Sequence, residues 1–380
     1  MTRQRLVPIA VVAAALVVAL ALIGGALWLT GGFGGGKAGD GATAPAPAVP
    51  PPGPRHGGPY RVCAWSRGDQ DSLIAATAAG AVDEVDFDWY RSLPDGGVEA
   101  DSENVALVSA VQQQGIATLA TITNYSTQKR SFDPALAHKI LHSPELQDRQ
   151  ATEMIALCDA RGYAGIDLDW EALRAADRDR FSAFVETLAA RLHDEDLILS
   201  MAAAPKFFEP GRWDSQKAQD YARLGAAVDE FKIMTYAVNG PWSGPGPQMP
   251  LSWADMVLTF AESVMPPEKV YLGVPFYGFD WGGGSTTAVH ATDVSALRHA
   301  YKNQRTRDAS SREAVIHYTD DAGADHTVYY MDRKALQAKL AWLRTQHPRI
   351  AGIAIWEAKD EDPRFWDVIV AELGGSAGGN

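Results

Sequence analysis

The chain has 380 residues, 46% hydrophobic and 21% charged, a globular composition with room for one barrel-sized domain and additions. Its formal net charge of −13 excludes the basic footprint of a nucleic-acid binder. Only two cysteines, Cys63 and Cys158, are present, which excludes a disulfide framework or a cysteine zinc site; buried free thiols are expected.

The N-terminus reads as a membrane segment. Arg3 and Arg5 precede an uncharged run, Pro8–Thr30, whose 23 residues would make a helix of about 34 Å, enough to cross a bilayer core. A cleaved signal peptide is the alternative, but its apolar region is normally about 7–15 residues and closes on a small-residue cleavage site that is not evident here. Arginines before the run and only Lys37 shortly after it place the N-terminus in the cytoplasm and the rest outside, secreted if the segment is cleaved. Residues 31–59 hold ten glycines and seven prolines and read as a disordered tether. Beyond it, residues 60–380 carry 30 basic and 46 acidic side chains, a net −16.

From Tyr60 short apolar runs alternate with helical patterns. Expected strands are Arg61–Trp65, Glu84–Trp89, Ile116–Thr123, Gly165–Trp170, Leu197–Ala203, Glu230–Tyr236, Val270–Pro275 and Ile350–Trp356. Expected helices are Ser102–Gln114, Pro144–Arg161, Asp177–Asp194, Ser215–Val228, Trp253–Val264 and Arg333–His347. Eight such units imply an α/β fold, a (β/α)8 barrel over residues 60–374, with a small α+β insertion near 279–330 after the seventh strand and a flexible tail at 375–380. A doubly wound sheet is the rival, but no G-x-G-x-x-G follows the first strand.

The most informative segment is Gly165-Ile166-Asp167-Leu168-Asp169-Trp170-Glu171. Strand periodicity puts Asp167, Asp169 and Glu171 on one face and the apolar residues on the other. Three acids facing a barrel interior repel one another, which raises at least one pKa. A carboxyl kept protonated near neutrality can act as a general acid, and Glu171 would stand at the C-terminal mouth, where barrel active sites lie. A metal site is the alternative, but aspartate-rich metal loops carry glycine and irregular spacing. His290, His299, His317 and His326 show no metal-ligand spacing, so no metal or cofactor is expected.

This segment resembles the signature of glycoside hydrolase family 18, D-G-x-D-x-D-x-E, at Gly165, Asp167, Asp169 and Glu171, with Ala164 in place of the leading aspartate. Met234-Thr235-Tyr236, Leu272–Gly278 and Gly352–Glu357 resemble the family's sixth, seventh and eighth strands. Phe87–Tyr90, Thr123-Asn124-Tyr125, Pro205-Lys206 and Tyr329–Asp332 look most like its spore-cortex-lytic branch. The resemblance implies a retaining glycosidase acting on polymers of β-linked N-acetylglucosamine, peptidoglycan or chitin, in which the substrate's own acetamido group is the nucleophile. It assigns Glu171 as acid and base, Asp169 and Asp167 as its supporting carboxylates, and Tyr236 as a hydrogen-bond donor. Trp356, Met234, Asn124, Trp242 and Tyr277 would bind sugar, with Trp213 and Trp281 as further loop aromatics. Ala164 and Ala237, where the family usually has acids, should leave Glu171 less elevated in pKa; the alternative reading is a weak or inactive sugar-binding barrel. A monomer is expected.

Overall fold

The structure, a computed structural model, describes residues 55–374. The expected membrane helix, the tether as far as residue 54 and the C-terminal tail lie outside the described residues. Among the described residues no helix is long and apolar enough to cross a membrane. The last tether residues are docked: the Arg55 backbone N–H donates to Asp83 at 2.6 Å.

Eight parallel strands form the barrel: β1 (Arg61–Ser66), β2 (Glu84–Ser92), β3 (Ala117–Thr123), β4 (Gly165–Asp169), β5 (Ile198–Ala203), β6 (Glu230–Ile233), β7 (Val270–Pro275) and β8 (Gly352–Trp356), with the short strand Val98–Ala100 paired antiparallel to β2. Each pairs with its neighbours in sequence, and β8 pairs with β1, so the barrel closes and the open-sheet rival falls. Gly165 is needed where β4 meets β5, because a Cβ there would run into the Ile198 carbonyl. Just past the end of β4, which stops one residue short of the expected Trp170, Trp170 points outward and stacks on Phe181 and Phe184 of the helix Arg178–His193, at 6.4 and 5.2 Å between ring centroids. That leaves the Asp167–Asp169 face for the interior.

Helices start where side chains cap them: Asn104 accepts from the Leu107 N–H, Asp133 from Ala135, Ser143 from Leu146 and Asp332 from Ala335. The helix expected over 215–228 is instead two, Asp214–Ala218 and Tyr221–Ala227. Lys206 donates to the carbonyls of Gln216 and Gln219, and Arg178 to those of Lys217 and Gln219. Those carbonyls leave the helical ladder, and Asp220 caps a new start. Strand β6 also ends at Ile233, short of the expected Tyr236, before the chain turns at Ala237 with φ +59°.

The insertion after β7 is an antiparallel sheet of five strands in the order Ser285–Val289, Gly278–Gly282, Asp325–Tyr330, Ala314–Thr319, Asn303–Arg307, with the helix Ala291–Ala300 beside it. A buried ion pair joins it to the barrel. Glu313 accepts the backbone N–H groups of Gln248 and Met249, and Lys339 donates to Glu313 at 3.2 Å and to the carbonyls of Met249 and Ser311. The insertion thereby fixes the loop that follows β6, which carries Trp242.

Candidate active site

The barrel interior is polar. At its floor Lys232 donates to Glu84 at 2.8 Å and Asp86 at 2.6 Å and stands 3.1 Å from Glu230. Burial opposes charge on Glu84, but Lys232 and Arg61 bring its pKa down to about 2. Burial and the neighbouring Glu84 push Glu230 up to about 8, so it keeps its proton at neutral pH. Burial drives Asp86 well up as well, although Lys232 opposes this.

Asp167 lies one layer higher and is wholly buried. It accepts from Trp65 Nε1 at 2.8 Å, Thr121 Oγ1 at 3.1 Å and Ser200 Oγ at 2.7 Å, and Lys232 lies 3.9 Å away. Asp169 comes next along β4. Burial, then the carboxylates of Glu171, Asp88 and Asp167, hold its pKa well above the usual carboxylate range. Its Oδ1 is buried and makes no hydrogen bond among the described residues. Glu171 stands just beyond the strand, at the mouth. Enclosure, and then the Asp88 carboxylate, raise its pKa to about 8.

Glu171 is thus raised without acids at 164 and 237, and Asp88 explains part of the elevation. Asp88 sits where the β2–β3 register slips between Phe87 and Tyr90, a bulge that re-aims side chains at a barrel rim. Arg67 binds it at 2.8 Å, lies 3.8 Å from Glu357 and covers the Trp356 ring at 5.1 Å. Sequence reasoning missed both residues. The signal for Asp88 was present: Glu84-Val85-Asp86-Phe87-Asp88-Trp89 alternates acid and apolar residues as β4 does.

The aromatic residues divide between cleft and core. Tyr236 and Tyr277 meet edge to face at 6.2 Å. Burial raises both hydroxyl pKa values, and Asp169 and Glu171 add to the effect at Tyr236, so both remain hydrogen-bond donors at neutral pH. The Tyr277 hydroxyl makes no hydrogen bond among the described residues. Trp356 is half-buried, edge-on to Trp65 at 6.0 Å, and Met234 is buried nearby in the same cluster. Trp242 is half-buried and edge-on to Phe279. Trp281 is buried and donates to the Gly240 carbonyl at 3.1 Å, so it anchors the Trp242 loop and does not face a sugar. Trp213 is half-buried under Arg212. Phe207 and Phe208, 43% and 44% exposed in the loop after β5, escaped the sequence reading.

Asn124 corrects an expectation. It was placed as a sugar contact, but it is wholly buried. Its Nδ2 donates to the carbonyls of Glu171 at 2.8 Å and Asp133 at 3.3 Å, and its Oδ1 accepts the Glu171 N–H at 2.8 Å. It grips the main chain of Glu171 and offers nothing to a ligand. Cys63 and Cys158 are buried free thiols.

A family model described as Glycosyl hydrolases family 18 matches residues 95–362. The glycosylase YvbX of Bacillus subtilis (strain 168) is 28% identical over 311 residues, 80% of this chain and 89% of the relative. A cortical fragment-lytic enzyme of Bacillus anthracis is 26% identical over 312 residues, 79% of this chain and 71% of the relative. Among solved structures, a chitinase from Chromobacterium violaceum ATCC 12472 superimposes with a TM-score of 0.77 at 24% identity, covering 83% of this chain and 99% of that one, which shows a shared fold.

Proposed function

We propose, from the premise that this chain belongs to the family 18 glycosyl hydrolases, that it is a retaining glycosidase whose acid and base is Glu171 and whose substrate is a β-linked polymer containing N-acetylglucosamine. The observation that carries the assignment is the ladder Asp167–Asp169–Glu171, ending at the barrel mouth in a carboxyl with a pKa of about 8. Such a group holds its proton at neutral pH and can release it.

The reaction would run in two steps. The substrate's acetamido oxygen attacks the anomeric carbon as the glycosidic bond breaks, and Glu171 gives its proton to the leaving oxygen. Water then attacks the anomeric carbon, its bond to the acetamido oxygen breaks, and the Glu171 carboxylate takes the water's proton. Asp169 stands beside the positive oxazolinium, and its orphaned Oδ1 would accept the acetamido N–H. Asp167, held by three donors, fixes Asp169 from below. Tyr236 donates to the acetamido oxygen as it turns to attack. Trp356 gives a sugar ring an apolar face, Met234 packs beneath it, and Tyr277 and Trp242 line the cleft.

Peptidoglycan is the favoured polymer. Cortical fragment-lytic relatives cover most of the chain, and the apolar N-terminal segment would tether the barrel on the outer face of the cell membrane, where that polymer lies. Ala164 and Ala237 favour a second reading, a sugar-binding barrel with little turnover. One experiment separates the two: reducing-end release and product masses from peptidoglycan and chitin-oligomer digests, with wild type and Glu171→Gln side by side. Turnover by wild type that the variant lacks supports the hydrolase. Equal rates, or binding without turnover, reject it.

A further inference from the structure

We propose that His138, His142 and Asp177 bind a divalent transition-metal ion of the zinc type through two imidazole nitrogens and one carboxylate. His138 lies on the helix Pro134–Leu141 and His142 closes it, four residues on and therefore on the same face. Asp177 opens the helix Arg178–His193. His138 Nδ1 is 2.9 Å from both carboxylate oxygens of Asp177, and His142 Nε2 is 3.0 Å from Oδ1. The two rings are 4.0 Å apart, and one ligand atom from each of the three residues lies within 4.8 Å of the others. Ligands about 2.0–2.1 Å from a tetrahedral zinc stand roughly 3.3 Å from one another, so the nitrogen–oxygen contacts need lengthen by only a few tenths of an ångström to admit the ion.

Asp177 adds an independent observation. An aspartate at the first position of a helix ordinarily accepts a backbone N–H there. Asp177 makes no such bond, although it is only 1% exposed, and turns its carboxylate to the two imidazoles. The rings are about one-third exposed, at 36% and 37%, which leaves an ion a route in and a position for water. Two imidazoles with a carboxylate suit zinc, and cobalt by substitution. Each neutral ring can present the lone pair from its other tautomer. The second group of possible ligands, Cys63, Glu84 and Glu230, differs because Lys232 and Arg61 already supply positive charge to it.

The site joins the segment after β3 to the segment after β4. Asn124, which grips Glu171, belongs to the first, and Glu171 opens the second. The ion would brace the frame of the general acid and take no part in the chemistry. The expectation of no metal rested on the four histidines from His290 to His326 and passed over the His-x-x-x-His spacing at 138 and 142.

The test uses the full chain, purified without a polyhistidine tag, stripped with chelator and titrated with Co2+ and with Zn2+. One equivalent of Co2+ should give the visible absorption of a four- or five-coordinate ion, and Zn2+ should abolish it. Zn2+ at a hundredfold excess over its Kd should raise Tm by about 4 °C. Loss of a direct ligand should weaken binding more than the 10–100-fold typical of a supporting residue, so His142→Ala should bind at least about a hundredfold more weakly. His142 is a surface residue, so this variant is expected to fold; Asp177→Asn provides the second. A featureless titration, or absorption and a Tm rise that survive His142→Ala, would overturn the proposal.

Discussion

Glu171 is the acid and base of the proposed reaction, and the environment that raises its pKa also destabilises the fold. Replacing it with Gln should lower hydrolysis by about 10²–10⁴-fold, the usual contribution of a general acid and base. The same variant should be more stable at neutral pH. In wild type the folded carboxyl titrates near 8 and the unfolded one near 4.5. The folded state therefore loses stability as pH rises between those values, whereas below about 4.5 both states are protonated and the difference vanishes. The gain from Gln should grow from nothing near pH 4 to the order of 1–3 kcal/mol by pH 8, read from denaturant midpoints across that range; a pH-independent difference would refute it. Asp88 raises Glu171, so Asp88→Asn should lower the Glu171 pKa and move the alkaline limb of the rate profile to lower pH. A limb that does not move would remove Asp88 from the site. Asn124→Ala should lower kcat by about tenfold or more with KM little changed, because the amide positions Glu171 and has no access to substrate.

At the scale of elements, legibility followed periodicity. The eight barrel strands were readable because each is a short apolar run with a polar segment after it, and β7 matches to the residue. Three short helices, Gln70–Ala78, Pro134–Leu141 and Arg364–Leu373, were not read, since two to three turns carry too little pattern. The β4 acids were legible because alternation marks a face. Arg67 was not, because its place beside Asp88 and Glu357 arises from two loops brought together by barrel closure. Asn124 was legible as a site residue but in the wrong role, since direction and burial are tertiary facts. Lys339 was likewise hidden inside a helical pattern, yet it is the fully buried cation that satisfies Glu313. Lys339→Met leaves that carboxylate buried and unpaired, so it should destabilise the protein by about 3–5 kcal/mol. Lys339→Met combined with Glu313→Gln should recover much of the loss. If the double variant is no better than the single one, the pair is not the seam between insertion and barrel.

For the whole molecule, charge and tether act together. Residues 60–380 carry −16, which, on the proposed tethering, should hold the barrel away from an anionic membrane surface. If residues 31–54 act as the proposed tether, a flexible chain of that length would reach on the order of 27 Å, and more where its proline-rich part is extended. Polymer within a few nanometres of the membrane would then be the substrate within range, whatever the intrinsic specificity of the cleft. Removing residues 1–54 should leave the rate on short soluble oligomers within about twofold, since none of the site residues lies there, while releasing the protein from the membrane fraction. Doubling the tether should raise the reach only by about the square root of two, and should extend digestion of intact wall without changing oligomer rates. Fractionation and product release from whole sacculi measure both. If the protein lacking 1–54 still sediments with membranes, or if tether length alters oligomer hydrolysis, the segment does something other than hold the barrel at a distance.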